Sequence, residues 1–267
     1  MLTALVLSPR QAQIVHGFFE YLAIAVGVWI YRRIRRQKTS QGILHSTSFI
    51  VVLGCILGAA IGNKLVFWIE FADKIPALWH GLMQRDPQAF ALLFSGQSIV
   101  GGLLGGLIGI EIAKKSAGLT QSTGDDFVLP IIVGTIIGRI GCFLAGLNDG
   151  TYGIPSTLPW AIDFGDGIPR HPTQLYDILF PILMYFILWR PRDRWQAQPG
   201  LLFKFYLLAY LIWRLFIDSY KPVPYSFAFG LSGIQVVCLV AIACYAPIVW
   251  RHYQLWRQKT KPSLGVS

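Results

Sequence analysis

Seven apolar runs of membrane-crossing length constrain this chain more than any other feature. They fall roughly at residues 13–31, 43–69, 97–113, 127–147, 174–189, 200–219 and 230–250, close to the ~17–25 residues with which an α-helix crosses a bilayer. In hydrocarbon each backbone N–H and C=O must be satisfied within the protein, so runs repeated at this length predict helices. Charged residues make up only 13 % of the chain, about half the share usual in a soluble domain. The expectation is an all-α polytopic membrane protein with seven transmembrane helices, forming a single membrane-embedded domain over residues 1–267. The first run leads into a basic cluster with no small-residue cleavage site, so it reads as an uncleaved span.

The net charge of +10 is explained by its distribution. Arg32, Arg33, Arg35, Arg36 and Lys38 follow the first run, Lys114 and Lys115 the third, Arg190, Arg192 and Arg194 the fifth, and Arg251, Arg257, Lys259 and Lys261 the last. If seven spans alternate from an outside N-terminus, all of these fall on the cytoplasmic side with the C-terminus. The opposite loops hold Arg10, Lys74, Arg85, Arg170 and Lys221. That asymmetry is the positive-inside pattern and removes the need for a nucleic-acid partner.

Two external segments stand out. Residues 70–95 read as an amphipathic arm with Trp79 as an interfacial anchor. Residues 148–172, rich in Gly and Pro, read as a small external head between spans four and five, with a short hairpin around Trp160–Phe164. Glycines recur every four residues at Gly54, Gly58 and Gly62, and again at Gly101, Gly105 and Gly109; such stripes let helices approach closely in lipid. Asp125 and Asp126 precede span four, where carboxylates suit a helix N-terminus. Cys55, Cys142, Cys238 and Cys244 lie in apolar runs without a CxxC pair, which argues against a disulfide framework or a zinc site and reads most of them as small buried hydrophobes.

Chemistry concentrates between Gly138 and Tyr176. Arg139 and Arg214 are guanidiniums near the outer ends of apolar helices, a costly placement unless the side chain snorkels, pairs with a carboxylate of the protein or meets the anion of a ligand. Tyr210 lies four residues before Arg214 and shares its face. The planar fork of arginine matches phosphate, and the phosphate at that depth belongs to a phospholipid headgroup. His16 and Glu20, four apart near the outer end of span one, read equally as interfacial anchors or as part of a polar pocket.

The motifs GRIGCF (Gly138–Phe143), YGIP (Tyr152–Pro155), LPWAIDF (Leu158–Phe164) and PRHPTQLYD (Pro169–Asp177) occur in an order that resembles the prolipoprotein diacylglyceryl transferase family. VGGL at Val100–Leu103 resembles the family's H-G-G-L, and Tyr210…Arg214 its late Y-x-x-x-R. The resemblance implies transfer of a diacylglyceryl group from phosphatidylglycerol to the lipobox cysteine thiol of an exported prolipoprotein signal peptide. Glycerol 1-phosphate leaves, no metal or organic cofactor takes part, and the protein is a multi-pass enzyme of the bacterial inner membrane. It makes Arg139, Arg214, Tyr210 and His171 the expected catalytic residues. Gly101, Gly102, Gly138, Gly141 and Gly153 join Arg139 as expected lipid-binding positions. Three positions depart from the family pattern: its histidine is Val100, the asparagine of G-R-x-G-N-F is Cys142, and the acidic residue just beyond is Leu147. His171, His16 with Glu20, and Asp149 are then alternative bases, and Cys142, three residues from Arg139, is either a reactive thiol or a small residue in the asparagine's place. A phosphatidylglycerol-dependent transferase with a different acceptor, and a non-catalytic phospholipid-binding or transport protein, stay open beside the main reading.

Overall fold

The structure, a computed structural model, describes residues 2–38, 46–94, 96–120, 122–195 and 197–260. Residues 43–45 of the second apolar run, Ser95 at the end of the expected arm, and Lys261 lie outside the described residues, as does the side chain of Lys38. The helices are α1 (Pro9–Lys38), α2 (Ser46–Glu70), α3 (Ile75–Met83), α4 (Pro87–Phe94) and α5 (Ile99–Ser116). They continue with α6 (Val128–Ala145), α7 (Thr173–Met184), α8 (Leu201–Ile217) and α9 (Gly233–Thr260). A π-helical turn over Tyr185–Trp189 extends α7.

Among the described residues, four helical stretches are long and apolar enough to cross a bilayer: Pro9–Gln37, Phe49–Glu70, Gly124–Asp149 and Gly233–Thr260. The pair α4 and α5 meets the same criterion only if the two helices, bent by 72° at the break between them, are counted as one span. This is the helix set of a polytopic membrane protein.

The described residues of Met1–Ser40, Ser122–Pro222 and Ala243–Ser267 form one compact unit, and those of Gln41–Gln121 and Val223–Ile242 a second. In the first, α1 packs along α6, and α6 against α7. Asp125 was expected to serve the start of α6. Its carboxylate instead accepts the backbone N–H groups of Gly200 (2.6 Å) and Phe203 (2.9 Å), satisfying orphan donors at the start of α8. Asp126 pairs with Arg35 at 3.4 Å.

The head of this unit carries the expected hairpin: β2 (Ile162–Asp163) runs antiparallel to β3 (Pro169–Arg170), and β1 (Leu2–Thr3) adds parallel to β2. The Asp163 carboxylate closes the turn by accepting the N–H groups of Gly165, Asp166 and Gly167, two of which are glycines at φ 103° and 79°. These are left-handed conformations that only glycine adopts without strain. Arg170 forks onto Asp166 at 2.6 and 2.7 Å, holding that carboxyl below the usual range.

In the second unit α2 crosses α5 on the two glycine stripes. A Cβ on Gly58 would land on the Gly105 carbonyl, and one on Gly105 on the Gly58 carbonyl. Lys64 donates to the carbonyl of Gly96 at 2.6 Å. Ser232 and Gln235 form a reciprocal capping box at the start of α9, with Ser232 N–H to Oε1 at 3.0 Å and Gln235 N–H to Oγ at 3.1 Å. The four cysteines are free thiols; Cys142 and Cys238 are buried, while Cys244 is exposed on α9, not buried as its apolar setting suggested.

Candidate functional site

The site lies within the first unit, where three helices converge on one carboxylate. Asp177 belongs to α7, Arg139 to the last turns of α6 and Arg214 to the end of α8. Asp177 Oδ2 is 3.2 Å from Arg139 Nη2, 3.6 Å from Arg214 Nη1 and 3.0 Å from Lys221 Nζ. Its Oδ1 accepts the indole N–H of Trp213 at 2.9 Å. Arg214 also pairs with Asp218, one turn later, at 2.9 Å. Arg139, Arg214, Asp177 and Asp218 are each at most 6 % exposed. Burial at this depth is tolerable for a charge only when it is paired and hydrogen-bonded.

The network is nevertheless one carboxylate short. Three cations face two acids, leaving a local charge of +1. Among the described residues, Arg139 Nε and both Nε and Nη1 of Arg214 find no hydrogen-bond partner. Lys221 is buried beside Arg214, and both effects push its ammonium down to about 8. Gln174, one turn before Asp177 on the same face of α7, is fully buried with neither amide atom hydrogen-bonded. Pro181, one turn after Asp177, has no N–H to give to the Asp177 carbonyl, so the α7 ladder is interrupted at the residue that collects the cations. Buried donors left over after internal pairing are what an anion with several oxygens can accept. Phosphate, bridging two guanidiniums, has that form.

A second polar cluster adjoins the first. Cys142 Sγ lies 3.9 Å from Arg139 Nη1. His16 of α1 points Nδ1 to Asp149 Oδ1, 2.9 Å away, and Thr151 donates its hydroxyl to the same carboxylate. Phe19, one turn along α1 from His16, packs onto Gly141, where a Cβ would strike it. That close approach of α1 to α6 brings His16 to the face carrying Cys142.

The expected residues are distributed unevenly. Arg139 and Arg214 meet through Asp177, and Tyr210 is buried one turn before Arg214. His171 is held in the head, with Nδ1 3.3 Å from the Tyr176 hydroxyl and its ring edge-on to Tyr220. Gly153 pairs backbone with His171 at 3.1 Å, and Gly138 faces open space. In the second unit Gly101 is buried at the α2–α5 crossing, Gly102 faces open space, and Val100 is 1 % exposed. Asp177, Asp218, Lys221 and Gln174 were not singled out in the sequence. The signal for Asp218 was its position four residues after Arg214; Asp177 closes the PRHPTQLYD motif.

Comparison with known proteins identifies the family. A prolipoprotein diacylglyceryl transferase family model matches residues 6–251. The phosphatidylglycerol–prolipoprotein diacylglyceryl transferase of Nitratidesulfovibrio vulgaris (strain DP4) is 30 % identical over 250 residues, covering 90 % of this chain and 89 % of its own. That of Desulfotalea psychrophila is 28 % identical over 90 % of this chain and 87 % of its own. That of Legionella pneumophila (strain Corby) is 30 % identical over 80 % and 81 %. With nearly the whole chain matched and the two arginines joined on one buried carboxylate, the chain belongs to the prolipoprotein diacylglyceryl transferase family.

Proposed function

We propose that this protein transfers the diacylglyceryl group of phosphatidylglycerol to the lipobox cysteine thiol of exported prolipoproteins, releasing glycerol 1-phosphate. The observation that carries the reading is the buried Arg139–Asp177–Arg214 network with guanidinium donors to spare. The relatives named above act on the same pair of substrates by name.

The reaction needs a thiolate, a glycerol carbon and a departing phosphate held in line. Asp177 holds the two guanidiniums in place before the lipid arrives, so they need no reorganisation when charge develops on the leaving phosphate oxygen. Lys221 adds a third cation while it is charged. Tyr210 borders the arginines and positions the headgroup. Gly138, open beside Arg139, gives the headgroup backbone access. The cluster of His16, Cys142 and Asp149 beside Arg139 is assigned to the thiol half of the chemistry, since Val100 has no proton acceptor. His171 guides the acceptor from the head.

The charge asymmetry supports seven spans in an inner membrane with the C-terminus cytoplasmic. The pairing of β1 with β2 supports an N-terminus on the same side as the head. The activity is tested with full-length protein in phosphatidylglycerol liposomes and a lipobox peptide, reading thioether product by mass spectrometry. Product that disappears in Arg139→Ala is expected. Absence of product from well-folded wild-type protein refutes the assignment.

A further inference from the structure

The end of α1 away from His16 carries chemistry that the transfer reaction does not use. Ala25, Val28, Trp29, Arg32, Arg33 and Arg36 stand at i, i+3, i+4, i+7, i+8 and i+11, so they share one face of the helix. That face passes from apolar to cationic without a break, and it lines a cavity of about 560 Å³ that reaches Gln37. The Arg33 guanidinium lies over the Trp29 ring, 5.6 Å from its centre. Arg35, just off the face, turns instead to Asp126 at 3.4 Å. A second cavity, of about 170 Å³, shares Gln37 and is lined also by Ile34, by Asp125 and, in the connection between α7 and α8, by Trp189, Arg192 and Trp195. Here too a guanidinium lies over an indole, with Arg192 5.0 Å from the centre of the Trp189 ring.

These cations lack an internal answer. Among the described residues, Arg32, Arg33, Arg36 and Arg192 make no ion pair. The Asp125 carboxylate is committed elsewhere, since its two oxygens accept the N–H groups of Gly200 (2.6 Å) and Phe203 (2.9 Å). Asp193, next to Arg192 in the chain, lines neither cavity. Trp195 is held edge-on to Phe205 and tilted against Trp256, with ring centres 5.2 and 5.1 Å away. Its indole N–H is buried and, among the described residues, finds no hydrogen-bond partner. A buried donor left in that state calls for an acceptor from outside the chain.

We propose that the two cavities hold the headgroup of an anionic phospholipid bearing two phosphates, in the cytoplasmic leaflet, with its acyl chains along Ala25, Val28 and Trp29. The charge asymmetry puts this basic end of α1 on the cytoplasmic side, where basic pockets between helices receive such headgroups. Arg32, Arg33 and Arg36 take one phosphate; Arg192 and the Trp195 N–H take the other. Trp29 and Trp189 brace their arginines at headgroup level. A soluble diphosphate would answer the charge but leave the apolar half of the face bare, with Val28 51 % and Trp29 59 % exposed; a lipid covers both halves. Bound there, it ties α1 to the connection between α7 and α8. His16 lies 21 residues before Gln37, about 30 Å along the helix, so this site is separate from the reaction site and does not depend on the transferase reading.

The test uses full-length protein, delipidated in detergent and titrated with tetraoleoyl cardiolipin, dioleoyl-phosphatidylglycerol or dioleoyl-phosphatidylcholine, with retained lipid counted by native mass spectrometry. Expected is one cardiolipin per chain, held at least about tenfold more tightly than phosphatidylglycerol because its second phosphate binds intramolecularly. Arg33→Gln and Arg192→Gln each weaken retention about fivefold. Trp195→Phe keeps the ring, removes the N–H and weakens it by about fivefold. Arg10→Gln, at the opposite end of α1, changes nothing, and the cardiolipin also stays with Arg139→Ala, which disables the reaction site. Retention indifferent to both Arg33→Gln and Arg192→Gln overturns the proposal, as does phosphatidylcholine held as tightly as cardiolipin. Loss of the lipid in folded Arg139→Ala protein assigns it to the reaction site and overturns the separate one. Two phosphatidylglycerols held as tightly as one cardiolipin overturn the two-phosphate ligand, and displacement by inorganic pyrophosphate overturns the lipid.

Discussion

Asp177→Asn changes one oxygen to an amide and keeps the shape of the side chain, so it isolates the charge on which Arg139, Arg214 and Lys221 converge. In the native protein that carboxylate, 4 % exposed, lies 3.0–3.6 Å from all three cations. Removing it takes the local charge from +1 to +2 and leaves Arg139 and Lys221 without a carboxylate partner in the network. Removing one partner from a buried ion pair costs about 3–5 kcal/mol. Part of that cost is recoverable, because Lys221 is already held down at about 8 and loses its proton more readily once Asp177 is neutral. The destabilisation is therefore largest near pH 6, where Lys221 must carry charge, and smaller near pH 9. Thermal unfolding of detergent-solubilised protein at both pH values reads this out. In a Lys221→Met background the cost of Asp177→Asn shrinks by a coupling energy of about 0.5–3 kcal/mol. A variant as stable as wild type refutes the network as a structural element. Equal losses at both pH values, simply additive with Lys221→Met, refute the role given to Lys221.

Wild-type stability rises with pH between about 8 and the ordinary lysine range: there the unfolded chain keeps the Lys221 proton and the folded one does not. Lys221→Met flattens that slope in pH-resolved unfolding curves, and binding of phosphatidylglycerol weakens as pH rises through about 8 in wild type alone. Arg139→Lys keeps the charge but loses the fork, lowering the rate of thioether formation by about 10²-fold in the liposome assay. Gly58→Ala drives a methyl into the Gly105 carbonyl and destabilises by about 1–3 kcal/mol, whereas Gly102→Ala, with open space around it, stays within about 0.5 kcal/mol; thermal unfolding ranks the two.

What the sequence made legible follows from the range of the interaction involved. Helix positions are local, and the spacing of apolar runs reveals them. Arg139 and Arg214 were legible as a pair because a guanidinium in an apolar run is costly unless it snorkels or meets an anion. Their shared partner was not, because nothing in α7 marks Asp177 as the point where α6 and α8 converge. The same limit explains Asp125, whose acidic character suited the helix it precedes while its carboxylate serves α8, 75 residues on. His16 shows the limit most clearly. Its i,i+4 neighbour is Glu20, yet its ring nitrogen turns to Asp149, reached only because Gly141 lets α1 close on α6. The phosphate half of the site is thus built on residues whose cost of burial announces them. The thiol half depends on a contact across two helices, which only the packed structure brings together.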